Sequence, residues 1–219
     1  MEQPAPTTID HAADGHALKV AIIVGSTRPG RKADAVARWV HGIATRRDDA
    51  TFEIVDLADY ALPLLDEPMP PMAGQYSRPH THEWAATIGA FDAYVFVTPE
   101  YNHSVPAALK NAIDFLHAEW SDKAAGFVSY GVHGGTRAVE HLRLTMGELK
   151  VADVRSQVVL QVFTDFVFTD PTDPMDPGVV TPGPHQEPTL MEMLTEVIAW
   201  SAALKPLRAR SAETQPVGA

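Results

Sequence analysis

The sequence predicts an α/β domain: a five-stranded parallel sheet with helices on both faces. Short apolar runs suited to buried strands alternate five times with stretches of helical periodicity, and parallel neighbours need such crossover connections. The first run, Leu18-Lys19-Val20-Ala21-Ile22-Ile23-Val24, is apolar almost throughout, as a strand covered on both sides must be. The 219 residues are 45% hydrophobic and 21% charged, which suits one sizeable core.

Residues 1–17, rich in Pro, Thr, Asp and His without periodicity, read as a disordered leader. After the first strand, Val36, Trp39, Val40 and Ile43 recur at helical spacing and predict a helix at about 33–45. Phe52–Val55 is the second strand, followed by a Pro-rich loop from Pro63 to Pro71 and a helix over roughly 79–90. Ala93–Val97 is the third strand. Pro106 suits a first helical position, with Leu109, Ala112, Ile113 and Leu116 behind it as a buried face and Lys110 and Asp114 spaced to pair. A strand at Ala125–Ser129, a helix at about 136–150 and a fifth strand at Gln157–Phe163 follow. Leu190, Leu194, Val197, Ile198 and Leu204 mark a last helix, so the domain is expected over 18–206 with a disordered tail at 207–219. Thr164–Pro188 is long and dense in Pro and Asp; its length and its Phe166 and Phe168 predict packing on a second subunit near the ligand.

Composition excludes several functions. Seventeen Lys and Arg against 28 Asp and Glu leave a net charge of −11, which argues against nucleic acid as a partner. The absence of cysteine removes disulfides, thiolate catalysis and Cys-ligated metals. No apolar run approaches the length of a membrane span, and the start Met1-Glu2-Gln3-Pro4 lacks secretory-signal character, so the expected location is cytoplasmic.

The first strand runs through Gly25-Ser26-Thr27-Arg28-Pro29-Gly30-Arg31-Lys32 into a helix. Such a junction aims free N–H groups and the positive end of a helix dipole at one spot, which favours an anion. A dinucleotide fingerprint needs Gly at position 27, which is Thr, and Asp56 is too distant to be its ribose-binding acid. A Walker loop needs Lys-Ser or Lys-Thr where Arg31-Lys32 stand. What remains, the Ser26 hydroxyl and the forks of Arg28 and Arg31, suits a terminal monophosphate without a metal.

In open α/β sheets ligands sit outside the carboxyl ends of the strands. That places Thr98-Pro99-Glu100-Tyr101-Asn102-His103-Ser104 and Ser129-Tyr130-Gly131-Val132-His133-Gly134-Gly135 beside the first turn. Proline stiffens the first loop, Tyr101 offers a face and Asn102 can address ring polar groups. The glycines of the second let its backbone approach a flat ligand. A monophosphate and a flat ring together point to FMN.

Gly25-Ser26-Thr27-Arg28, the block Pro99-Glu100-Tyr101-Asn102-His103-Ser104-Val105-Pro106-Ala107-Ala108-Leu109-Lys110-Asn111-Ala112-Ile113-Asp114, and Gly134-Gly135 resemble the NADPH-dependent FMN reductase family over roughly 18–163. The resemblance implies a flavodoxin-like three-layer sandwich with strand order 2-1-3-4-5, FMN as cofactor, NADPH or NADH as co-substrate, and a homodimer or homotetramer. It implies that Ser26, Arg28 and Arg31 hold the phosphate, with Ala33 contributing through its backbone. Pro99, Glu100, Tyr101 and Asn102 would line the isoalloxazine, and Ser129, Tyr130, Gly131 and Gly135 would close its other side. The function so implied is hydride transfer from NAD(P)H to FMN, then ping-pong reduction of quinone-, azo-, nitro- or flavin-type acceptors, with no catalytic side chain required. A flavodoxin-like electron carrier with a protein partner, and a nucleotide-binding module without flavin, are the alternatives.

His80-Thr81-His82-Glu83 lacks the second zincin histidine, since position 86 is Ala, and Asp170, Asp173 and Asp176 lack EF-hand spacing; no metal is expected. Ser26 and Ser129 lie outside any nucleophile elbow. His103 and His133 could protonate an acceptor, although a plain edge position is the simpler reading.

Overall fold

A computed structural model describes residues 17–214 apart from Pro171 and Pro174. The five main strands are β1 (Leu18–Val24), β2 (Ala50–Asp56), β3 (Ala93–Pro99), β4 (Lys123–Gly131) and β5 (Val151–Gln161). They form one parallel sheet in the order β2-β1-β3-β4-β5, the flavodoxin-like arrangement. Side chains alternate across it as strand geometry requires. Val20, Ile22 and Val24 of β1 face a core shared with α1 (Ala33–Ala44) and α6 (Gln186–Thr214). Ala21 and Ile23 face the core under α3 (Pro79–Gly89), α4 (Ala107–Asp114) and α5 (Thr136–Glu148). Both faces of β1 and β3 are thereby sealed, which is why those strands read as continuous apolar runs.

The short helix α2 (Leu57–Tyr60), capped by the Asp56 carboxylate, was not foreseen. Its partner feature, the loop from Pro63, is tied to α4 by Asn111, whose amide donates to the Pro63 carbonyl at 2.7 Å and accepts from the Leu65 N–H at 3.0 Å. Lys110 and Asp114 pair at 2.7 Å as their spacing predicts.

Two boundaries differ from expectation. β5 begins at Val151, six residues before the expected start at Gln157. Its early half carries Asp153, Arg155 and Ser156, which mimic a loop. In the fold Asp153 pairs with Arg143, and Ser156 meets Glu192 and Glu196 of α6 at 3.2 and 3.3 Å. The last helix passes the expected end at 206 and runs through Pro206 to Thr214. Arg208 anchors it by ion pairing with Asp92 at 2.6 Å and donating to the Asp122 carbonyl at 2.8 Å. The rest of the expected leader and tail, 1–16 and 215–219, lies outside the described residues.

Thr164–Pro188 packs on its own chain. β6 (Phe166–Val167) and β7 (Val179–Val180) pair as an antiparallel hairpin, with Phe166 buried 6.2 Å from the Tyr130 ring. Asp176 organises this hairpin. Its carboxylate accepts from the N–H groups of Thr169, Asp170 and Gly178 at 2.8–2.9 Å, and these donors hold its pKa down at about 2.

Candidate functional site

The parallel sheet delivers three loops to one end: 25–32 after β1, 100–106 after β3 and 132–135 after β4. The first turn starts where Gly25 must be glycine, since a Cβ there would lie 2.9 Å from the Val97 carbonyl oxygen and 2.8 Å from Leu109. The turn ends at α1, whose first N–H groups have no side-chain cap. Those groups lack helical acceptors and suit an anion.

Ser26 is buried, and its hydroxyl lies 2.8 Å from that of Tyr101, so the first and second loops share a hydrogen bond. The Arg28 N–H points to the same Oγ at 3.4 Å, while its side chain is exposed and its guanidinium has no partner among the described residues. Ala33 is buried as the first residue of α1, which leaves only its backbone for a ligand.

Arg31 differs from the expectation of a phosphate-holding fork. Its Nε donates to Asp34 at 2.6 Å, Nη2 to Asp56 at 2.5 Å and Nη1 to the Ser26 carbonyl at 2.8 Å. It braces the turn, and its single positive charge offsets one of the two carboxylates it bridges. Asp56 ends β2 in register with Val24, the last residue of β1. Spacing along the chain gave no sign of that proximity.

Lys32 fastens the hairpin over this turn. Its ammonium donates to the Asp176 and Pro177 carbonyls, each at 3.0 Å, and lies 4.4 Å from the Phe168 ring centre. Burial pushes its pKa down. Met175 reaches Gly30, whose φ is 68° and where an added Cβ would lie 2.9 Å from the methionine methyl.

Around the expected ring position, Tyr101 and Ser104 form a two-way backbone bridge at 3.0 and 3.1 Å. Asn102 and His103 between them have φ of 49° and 74°, as a primed hairpin turn requires. Pro99 closes β3 in full burial, and exposed Asn102 stands at the loop tip. Glu100 turns from the expected ring position toward α5: its carboxylate accepts the Arg137 N–H at 3.2 Å and pairs with the Arg137 guanidinium. It thereby ties the second loop to the third. Nothing in the linear spacing signals the pairing with Arg137.

Ser129 is buried, and its hydroxyl donates to the Gly134 carbonyl at 2.7 Å, fixing the 131–135 turn. Gly134 and Gly135 have φ of 76° and 75°, and an added Cβ would strike Val159 at 2.2 Å and the Tyr130 carbonyl oxygen at 2.9 Å, respectively. Gly131 packs beside Glu100 and Gly135. Strand alternation sends Tyr130 to the opposite face from Ser129, under the first turn. Its electrostatic neighbours there are Tyr101, Asp34, Arg28 and Arg31. Its hydroxyl is buried with no hydrogen-bond partner among the described residues. Burial raises its pKa, so it remains a protonated donor.

An orphaned buried hydroxyl is costly and calls for a partner. Tyr130, the Ser26 hydroxyl, the free Arg28 fork and the uncapped α1 terminus form a donor set that fits a phosphomonoester such as the FMN phosphate. His80 instead binds Asp66 at 2.9 Å, and no three His, Cys, Asp or Glu residues group as metal ligands among the described residues.

A model of the NADPH-dependent FMN reductase family matches residues 18–165. An NAD(P)H-dependent FMN reductase of Schizosaccharomyces pombe is 39% identical over 166 residues, covering 75% of this chain and 79% of that protein. A quinone reductase of Escherichia coli is 40% identical over 134 residues, covering 58% and 68%. Among solved structures, FerB, a flavoenzyme NAD(P)H:(acceptor) oxidoreductase from Paracoccus denitrificans, shares the fold with a TM-score of 0.64 at 22% identity, over 84% of this chain and 97% of that one. The matched segment takes in all five strands and the three loops at their carboxyl ends, and the chain belongs to the NADPH-dependent FMN reductase family, enzymes that use FMN and NAD(P)H.

Proposed function

We propose that this NAD(P)H–FMN oxidoreductase reduces small, flat, electron-poor acceptors of the quinone type, with nicotinamide and acceptor using one open face in turn. The observation that carries the reading is the Tyr130 hydroxyl, partnerless among the described residues and within electrostatic reach of Arg28, which supports a phosphate end there and a ring end at the loops 99–104 and 131–135. FMN, when bound, supplies the hydride-accepting and electron-donating chemistry. The residues of the chain bind, orient and polarise. Arg28, Ser26 and Tyr130 hold the phosphate, and Arg31 holds Asp34 and Asp56 beside it, offsetting part of their charge. The N–H groups of Asn102, Val132 and His133 make no hydrogen bond among the described residues, so they are available to stabilise negative charge developing on the ring system. Asn102, Val132 and His133 are also exposed, which keeps that end open to an exchanging substrate.

A shared face requires oxidised nicotinamide to leave before the acceptor enters. Initial rates with NAD(P)H varied at several fixed quinone concentrations should therefore give parallel double-reciprocal lines. Intersecting lines would reveal a ternary complex and remove the shared face. Side chains exposed on one loop, Leu64 (83%), Met69 (44%) and Met72 (68%), support a homodimer or homotetramer, which light scattering on the purified protein tests.

A further inference from the structure

At the outer rim of the ring-side loops, basic side chains from the 100–106 loop and α5 gather in an exposed patch. His103 holds a left-handed backbone conformation uncommon for histidine. Its Nδ1 lies 3.0 Å from Arg137 Nη1. Arginine only donates, so Nδ1 accepts and Nε2 carries the ring proton. His141, one helical turn beyond Arg137 on α5, has its Nδ1 2.8 Å from the Ser104 hydroxyl. The two imidazole centres are 6.5 Å apart. Both histidines are exposed, and neither Nε2 has a partner among the described residues. Each ring is thus anchored by one nitrogen and presents the other outward.

The acidic neighbours of this patch are already engaged. Glu100 is paired with Arg137, and Glu140 lies 3.6 Å from Arg143. On a chain of net charge −11, three adjacent groups able to donate to an anion are a local exception, and they stand next to the loops assigned to the ring end.

The geometry points to the His103–Arg137–His141 patch as the seat of a phosphate group of the reduced nicotinamide dinucleotide. This rests on the shared-face reading, which puts nicotinamide at the ring loops and the rest of the dinucleotide across their rim. The phosphate is either the 2′-phosphomonoester that only NADPH carries or the pyrophosphate common to NADPH and NADH. The patch binds and orients the reductant and takes no part in hydride transfer.

The test uses the FMN-loaded enzyme with His103→Asn and His141→Gln combined. Asparagine tolerates the left-handed backbone at 103, and Arg137 is kept so that its pairing with Glu100 still joins the loops. Losing hydrogen bonds to a charged group should raise KM for NADPH about tenfold or more with kcat unchanged. If KM for NADH stays at its wild-type value, the seat holds the 2′-phosphate; if it rises equally, the seat holds the pyrophosphate. Calorimetric titration with adenosine 2′,5′-bisphosphate and with ADP supplies a readout independent of turnover: the first outcome weakens only the bisphosphate, the second weakens both. Unchanged KM for both nucleotides, or a fall in kcat alone, overturns the proposal. The shared-face reading fails separately, through intersecting lines in the wild-type enzyme.

Discussion

Two tyrosines on adjacent strands of one sheet are treated in opposite ways. Tyr94, at the amino end of β3, is fully buried, and its hydroxyl lies 3.0 Å from the carbonyls of Ile88 and Glu119 and accepts from the Lys123 ammonium at 2.9 Å. Tyr130, at the carboxyl end of β4, is buried to a similar degree and its hydroxyl has no partner among the described residues. The amino end is also latched by Arg208 through Asp92 and Asp122. The tyrosine at the amino end has its hydrogen bonds completed, and the one at the carboxyl end keeps a donor in reserve, where we propose that the cofactor phosphate sits. Polar satisfaction, more than burial, separates these two tyrosines.

That contrast can be broken by substitution at either end. The largest effect is expected from Arg28→Ala. Losing a charge-assisted bond of about 1.5–3 kcal/mol should weaken FMN about tenfold to a hundredfold while sparing riboflavin, which lacks the phosphate. Fluorescence titration with both flavins checks this, and an equal loss would remove Arg28 from the phosphate site. At the other end, Tyr94→Phe leaves buried carbonyls and an ammonium short of a partner. It should cost about 1–3 kcal/mol in urea unfolding and leave FMN affinity unchanged.

Lys123 gives a smaller, pH-dependent signal. Burial pushes its pKa down to about 8, below the unfolded value of about 10.4. Between these values the unfolded chain binds more protons, so this lysine makes stability rise with pH from about 8 toward 10, by at most ~1.4 kcal/mol per pH unit. Below pH 8 both states are protonated and the dependence vanishes. Lys123→Met should lack the rise, and matching pH profiles for the two proteins would contradict the assignment.

Much of this division was legible in the sequence, but unevenly. The apolar runs of β1 and β3 announced a doubly covered sheet, because both faces of a parallel strand are buried. The loops after β1, β3 and β4 followed from their position at strand ends. Individual roles at the site were harder to read. Arg31 looks like a phosphate ligand until Asp56, 25 residues away, lies 2.5 Å from it, and Glu100 faces the ring in sequence but Arg137 in space. The resemblance groups Tyr130 with Ser129 at the ring, and strand alternation puts the two on opposite faces. The hairpin at 166–180 was hidden because its order comes from the Asp176 carboxylate and the hold of Lys32, neither of which has a periodic signature.

We propose that the Tyr130 hydroxyl is held for the cofactor phosphate, and Tyr130→Phe tests this most directly when FMN and riboflavin are titrated into the same apoprotein. Removing a buried hydroxyl that has no partner should leave apoprotein stability unchanged or slightly raised. FMN should bind about tenfold more weakly and riboflavin equally well. Unchanged FMN affinity, or the same loss for both flavins, would contradict the claim.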